Sequence, residues 1–219
     1  SSSARWKQAT MKQATGSRTP RLTNKVSIQR SLDGHSFSVS GLDRDFTGEA
    51  IVTVEILTPQ TLLVPADLLQ TSTAAELLAA AGMACRQDEQ AVRSMPRSLG
   101  RDKEVVAVMA LDEKILQRIR GRLGYRADFT TPLLEGPTAA TQTVWLRRAP
   151  GVLYIKVFGR TLRLAEVIPA AAEADILYFI DRLGRALPLG QMRLQIAGPG
   201  AKALRKLIGK RFRYVVCES

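Results

Sequence analysis

The side chains that could do chemistry in this chain are few, and most are disqualified by their company. His35 is the single histidine, so no histidine metal cluster forms around it, and it has no evident serine or cysteine partner for nucleophilic work. Asp88-Glu89 and Asp112-Glu113 are adjacent carboxylates. The first pair falls in a polar stretch; the second opens a helix, where acids offset the macrodipole. Cys85 and Cys217 stand far apart and in no metal-ligand spacing. No catalytic residue and no metal ligand is assigned. Three glycine-bearing turns remain: Gly34-His35-Ser36, Pro150-Gly151 and Gly198-Pro199-Gly200. Glycine lets backbone amides approach a ligand closely. The last turn also precedes a helix, whose N-terminus receives anions, although a strand-to-helix junction needs glycine for its own sake. Arg147-Arg148, just ahead of Gly151, would pair with a phosphate or stand solvated at a strand end.

Charge is the other candidate signal. The net charge is +12, and Arg5, Lys7, Lys12, Arg18, Arg21 and Lys25 supply half of it with no acid among them. Lys202, Arg205, Lys206, Lys210, Arg211 and Arg213 form a second cluster near the C-terminus. Lys202, Arg205 and Lys206 lie opposite Leu204, Leu207 and Ile208 on one helix. They read as a solvated face or as an electrostatic footprint for nucleic acid, anionic lipid or an acidic partner. Aromatic residues total 5%, with no RNA-reading pattern among them.

The elements that must position these residues follow from spacing. Residues 1–24 are rich in Ser and Thr, repeat Lys-Gln-Ala-Thr at positions 7–10 and 12–15, and cannot bury a core. They are expected to be a disordered basic leader or a tag remnant. From Lys25, Val26 and Ile28 alternate into an Asp33-Gly34 turn and out through Phe37 and Val39, a strong hairpin signal. Val52, Val54 and Ile56 continue the alternation, and a three-strand meander is expected. Ser72 or Thr73 caps a helix through Ala81. Val105, Val106 and Val108 make a strand; Ile115, Leu116, Ile119 and Leu123 share one helix face; Tyr125 to Phe129 is a short strand.

The same order recurs over 141–219. Strands at Thr143–Arg148, Val152–Phe158 and Thr161–Ile168 precede a helix burying Ile176, Leu177, Ile180 and Leu183. A strand at Met192–Ala197, a helix burying Leu204, Leu207 and Ile208, and a last strand of Phe212, Tyr214 and Val216 complete it. Two βββαβαβ halves, 25–131 and 141–219, joined by a linker at 132–140, are the signature of a duplication. No run reaches 18 apolar residues and no secretion signal opens the chain, so a cytoplasmic protein without a transmembrane segment is expected. Spacing sets no oligomeric state.

Two such halves resemble the α/β, ribonuclease H-like fold of actin and hexokinase, in which nucleotide lies in a cleft between them. The stretch Ser27-Ile28-Gln29-Arg30-Ser31-Leu32-Asp33-Gly34-His35-Ser36-Phe37 is similar to the opening of an uncharacterised bacterial family of actin-like fold. Leu63-Val64-Pro65 with Leu68-Leu69, and Pro132-Leu133-Leu134, are further matches. The layout is also similar to that of the actin-like proteins of type IV pilus and type II secretion machines. The resemblance implies a phosphate-binding hairpin at Gly34 and Ser36, a second at Gly151, and an adenosine turn at Gly198 and Gly200, with ATP and Mg²⁺ as the implied ligands. The motifs depart from what hydrolysis needs. With Gly34 aligned, the acid position holds Leu32, and Asp33 falls one place late, which on a strand is the other face. The Arg147–Gly151 hairpin has no acid for a metal. A protein-binding scaffold that does not hydrolyse ATP, and for which no cofactor is expected, is the leading expectation. A nucleotide switch and nucleic-acid binding are the alternatives.

Overall fold

The computed structural model describes residues 24–46, 48–99, 104–137 and 141–218. Except for Asn24, the expected leader lies outside them, as do residues 138–140 of the expected linker.

Lys25–Arg30 (β1) and Phe37–Ser40 (β2) form the antiparallel hairpin expected around Asp33-Gly34, with Ile28 opposite Val39. Val52–Leu57 (β3) is not the third strand of a meander. It lies on the other side of β1 and parallel to it, with Val26 opposite Val54. Alternation decides which face is buried, not which neighbour a strand takes. Because β2 and β3 run in opposite directions on either side of β1, the ends that residues 41–51 join lie at one end of the sheet, and no crossover is needed.

A second sheet is inserted after β3. It comprises Thr61–Pro65 (β4), then helix Ala74–Ala80 (α1), Glu89–Arg93 (β5), Arg97–Ser98 (β6) and Glu104–Asp112 (β7). Both β4 and β5 flank β7 antiparallel, and β6 pairs with it as well. Within β5, Val92 alone is fully buried, so the polar stretch that contains β5 and β6 carries little strand signal. β7 is buried on both faces, which is why it reads as a continuous apolar run. Its Ala107, Met109 and Leu111 join the core under β1 and β3, and Val106, Val108 and Ala110 join Leu78 of α1. Thr73 caps α1 reciprocally with Glu76, a capping box. Asp112 caps Glu113–Leu123 (α2), which buries the expected Ile115, Leu116, Ile119 and Leu123. Ala127–Thr130 (β8) then closes the first sheet, parallel to β3, giving the order β2-β1-β3-β8.

The second half has the expected order. Thr143–Ala149 (β9), Val152–Phe158 (β10) and Leu162–Pro169 (β11) form a meander. Glu173–Ala186 (α3), Arg193–Ala197 (β12), Ala201–Ile208 (α4) and Tyr214–Cys217 (β13) follow. β12 runs parallel to β9 and β13 parallel to β12, so the sheet order is β11-β10-β9-β12-β13. The pairing β2-β1-β3-β8 thus matches β10-β9-β12-β13, while β11 has no counterpart among the described residues and the inserted sheet is peculiar to the first half. In β13, Val215 and Cys217 turn to the core; Tyr214 and Val216 are exposed. No helix among the described residues is long and apolar enough to cross a membrane.

Candidate functional site

The five-stranded sheet of the second half has two unlike faces, and the sequence of β9 and β10 alternates between them. Val144, Leu146, Leu153, Ile155 and Val157 enter the core beneath α3 and α4. Trp145, Arg147, Tyr154 and Lys156 take the other face, which meets the first half. Leu57 of β3 and Leu133 pack there on Trp145, Ala149 and Tyr154. The joining stretch therefore does not skirt the molecule: Pro132–Leu134 forms a 3₁₀ turn with Leu133 fully buried. Gly136 (φ +73°) then lies so close to Trp145 that a Cβ would overlap the indole, so this position needs glycine for both backbone and space.

Four charged side chains knot this interface. Glu55 of β3, 2% exposed, accepts from Arg147 Nη1 at 2.9 Å and from Lys25 Nζ at 3.1 Å. The same Arg147 Nη1 donates to the Glu135 carboxylate. Burial pushes the Glu55 carboxyl up, but Arg147 and Lys25 outweigh it and hold it below the usual carboxylate range. Burial and the neighbouring Glu55 push Glu135 up, against the pull of Arg147. Burial would loosen the Arg147 proton, yet the two carboxylates hold it more firmly than usual. One guanidinium thus joins strand, joining stretch and opposite sheet. Beside it Lys156, fully buried, donates to the Glu135 carbonyl and sits 4.5 Å from the centre of the Trp145 ring. Burial pushes its pKa down to about 8. Burial also raises the Tyr154 phenol well above its ordinary value. Trp145 Nε1 and Arg147 Nε are buried without a hydrogen-bond partner.

Above this knot lies a cavity of about 540 Å³ bounded by Leu32, Leu57, Arg147, Arg148, Gly151 and Gly200. It brings together two of the turns singled out by sequence. Gly151 (φ +76°) passes directly under Leu32, whose methyl group a Cβ would meet. Gly198 packs on the Arg147 side chain, and Gly200 is the N-cap of α4. Gly34 and Ser36 are not at this cavity. Their hairpin tip is turned to the inserted sheet, where Gly34 O accepts from Arg30 Nη1 at 3.0 Å and from Arg86. Asp33 Oδ1 accepts from the amides of His35 at 2.8 Å and Ser36 at 3.4 Å, and Ser36 Oγ donates to Ser31 at 2.9 Å. Those contacts hold the Asp33 carboxyl below its usual range, the His35 amide first among them. Asp33 thus occupies both amides at the tip.

The C-terminal cations are all exposed. Arg211 pairs with Asp181, and Lys202 shares a cavity of about 370 Å³ with Cys217 and Glu218. The charged knot itself escaped sequence reasoning. A lysine inside the apolar run Val152–Phe158 and a glutamate inside Val52–Leu57 were signals available in the sequence, since buried strand charges need partners. Glu135 carries no such signal, and Arg147 is neither solvated nor free for a phosphate.

No protein-family model matches the chain, and no curated protein matches it. Among solved structures it is similar to a protein of unknown function with an actin-like ATPase fold from Bacteroides thetaiotaomicron. That likeness has TM-score 0.63 and 16% identity, covering 89% of this chain and 90% of the other. A more distant likeness is to the cytoplasmic domain of EpsL, an inner membrane component of the type II secretion system of Vibrio cholerae (TM-score 0.40, 11% identity, 78% and 81% covered). The two sheets, the cleft between them and the match over nine-tenths of both chains establish an actin-like ATPase fold.

Proposed function

We propose that this protein is an actin-like module that works by binding another protein, as a scaffold or adaptor, and does not hydrolyse ATP. The observation that carries the proposal is the state of the groups at the turns where the resemblance would place a ligand. Phosphate cradling needs free amides and cations, but Asp33 holds the hairpin amides and Glu55 and Glu135 hold Arg147. Leu32 stands at the position of the metal-side acid, over Gly151. The fold is kept while its ligand-binding groups bind one another, which suits a module whose surface is the working part.

A second reading, nucleotide held without turnover, draws on the cavity between Gly151 and Gly200 at the start of α4. Thermal denaturation with ATP, ADP and a non-hydrolysable analogue, each with and without Mg²⁺, separates the two, because a ligand bound only by the native state raises stability. The adaptor reading expects no shift at millimolar ligand, and a stoichiometric protein complex that survives gel filtration. A shift of several degrees abolished by Gly198→Val would replace it with the nucleotide reading.

A further inference from the structure

The basic C-terminal cluster borders an edge of the fold that the cleft does not use. β13 is the outermost strand of its sheet. Its inner side is bonded: Arg213 N donates to Met192 O at 3.0 Å and Glu218 N to Ile196 O at 2.8 Å. Within the strand, which Arg213 precedes, alternate residues of a parallel ladder direct their amides to opposite sides, so with Glu218 N turned to β12 those of Val216 and Tyr214 also face it, and those of Val215 and Cys217 point away. The side chains of Tyr214 and Val216 are exposed, 45% and 42%. Outward backbone groups and an apolar stripe therefore run along the same strand.

Positive charge flanks this edge on the side of α4. Lys202 borders Cys217 and Glu218 across their shared cavity. One turn further along α4, Arg205 and Val215 both lie against Gly209. Glu218 is engaged by Gln195 Nε2. Edges are ordinarily guarded by charges on the strand itself. Here the exposed side chains of the strand are those of Tyr214, whose ring carries the Arg193 guanidinium, and Val216, and the cations stand on the neighbouring helix, where they would meet the side chains of an added strand.

We propose that β13 docks an extended acidic segment of a partner protein by strand addition. Alternate residues of that segment are apolar toward Tyr214 and Val216 and acidic toward Lys202 and Arg205. The proposal rests on the adaptor reading and names the chemistry of its partner. Nucleic acid or anionic lipid would be drawn by the same cations, but neither uses the main-chain edge or the apolar stripe, so the observations favour the peptide.

The test is fluorescence anisotropy with a short labelled peptide alternating Glu and Val, against an isomer with the same residues in two blocks. The alternating peptide is expected to bind on the order of tenfold tighter, and N-methylation of its alternate amides to cost about tenfold, the worth of a main-chain hydrogen bond or two. Cys217→Pro removes an outward amide, a change that edge strands tolerate, and should cost about as much. The N-methyl peptide asks the same question of the unaltered protein. Equal binding of the two isomers overturns the proposal. So does binding of duplex DNA or phosphatidylserine vesicles that Lys202→Ala with Arg205→Ala weakens and Cys217→Pro leaves unchanged. A stable protein complex whose hydrogen-exchange footprint avoids β13 removes this edge and leaves the adaptor reading standing; stabilisation by ATP without any protein complex removes the adaptor reading itself.

Discussion

Arg30 and Arg147 are both strand arginines withdrawn from water beside a glutamate, yet they are satisfied to different degrees. Arg30 donates from Nε to Thr58 Oγ1 at 3.0 Å, from Nη1 to Gly34 O, and from Nη2 to Gln60 and to Glu89 at 2.6 Å, while its guanidinium stacks 4.4 Å from the Phe37 ring. All these partners belong to one half. Arg147 concentrates its bonds on Nη1, leaves Nε buried without a partner, and reaches two carboxylates that no hydrogen bond of its own half supplies. A buried charge with every donor engaged fixes geometry; one with donors to spare holds a joint that other groups can share. Arg30 is thus a clamp inside the first half, and Arg147 is a pin between halves.

The sharpest way to break that contrast is to truncate both. Arg30→Ala leaves Glu89 almost fully buried and uncompensated, and should cost about 3–5 kcal/mol of stability in urea unfolding. A loss below that of Arg147→Ala would invert the comparison. Arg147→Ala should cost less, about 2–3 kcal/mol, because Lys25 still faces Glu55 at 3.1 Å. Its particular mark is faster hydrogen exchange in β3 and β9 together, whereas Arg30→Ala should open the β1–β2 hairpin. A double-mutant cycle of Glu55→Gln with Arg147→Ala should return coupling on the order of 1–3 kcal/mol; additivity would deny the pin.

Lys156→Met should act in the opposite direction. The folded-state pKa of Lys156, about 8, lies below its ordinary 10.5, so the charged form is penalised in the fold. The penalty is full below pH 8 and fades as pH rises toward 10.5. At neutral pH the methionine variant should be more stable by about 1 kcal/mol or more, with the gain shrinking in alkaline melts. A constant difference across that window would show that Lys156 titrates in the fold as it does in the unfolded chain. The smallest effect is expected from Asp33→Ala, since its carboxylate is exposed. Its contribution is present while the group is ionised and is lost as pH falls through a value lower than its ordinary 3.8. Wild type and variant should therefore converge in acid melts.

Much of the second half was legible because each element is decided by neighbours in sequence. Leu153, Ile155 and Val157 declare a strand face, and Gly151 and Gly198 declare turns, whatever lies across the cleft. Ile115, Leu116, Ile119 and Leu123 likewise placed α2. In the first half β3 was legible as a strand but not as a parallel neighbour of β1, since alternation is the same in either direction. β5 and β6 were concealed by their polarity: at an edge of the inserted sheet few of their side chains need burial. Gly151 and Gly200 were found as turns and do share the cleft cavity. Gly34 and Ser36 were found as a turn, but Arg30 and Arg86 draw that turn to the inserted sheet.

By itself the sequence determined the hairpins, the helix faces, and the helix starts at Ser72 or Thr73 and at Asp112. These depend on dihedral preference and on periodicities of two and 3.6 residues, which act over a few positions. Only the tertiary structure decided that Arg147 meets Glu55, 92 positions away, that Lys156 is fully buried against Trp145, and that the side chains of Tyr214 and Val216 rather than those of Val215 and Cys217 are exposed. Coulomb energy and desolvation depend on separation in space and on what fills it, and neither is fixed until the two sheets have closed on the joining stretch.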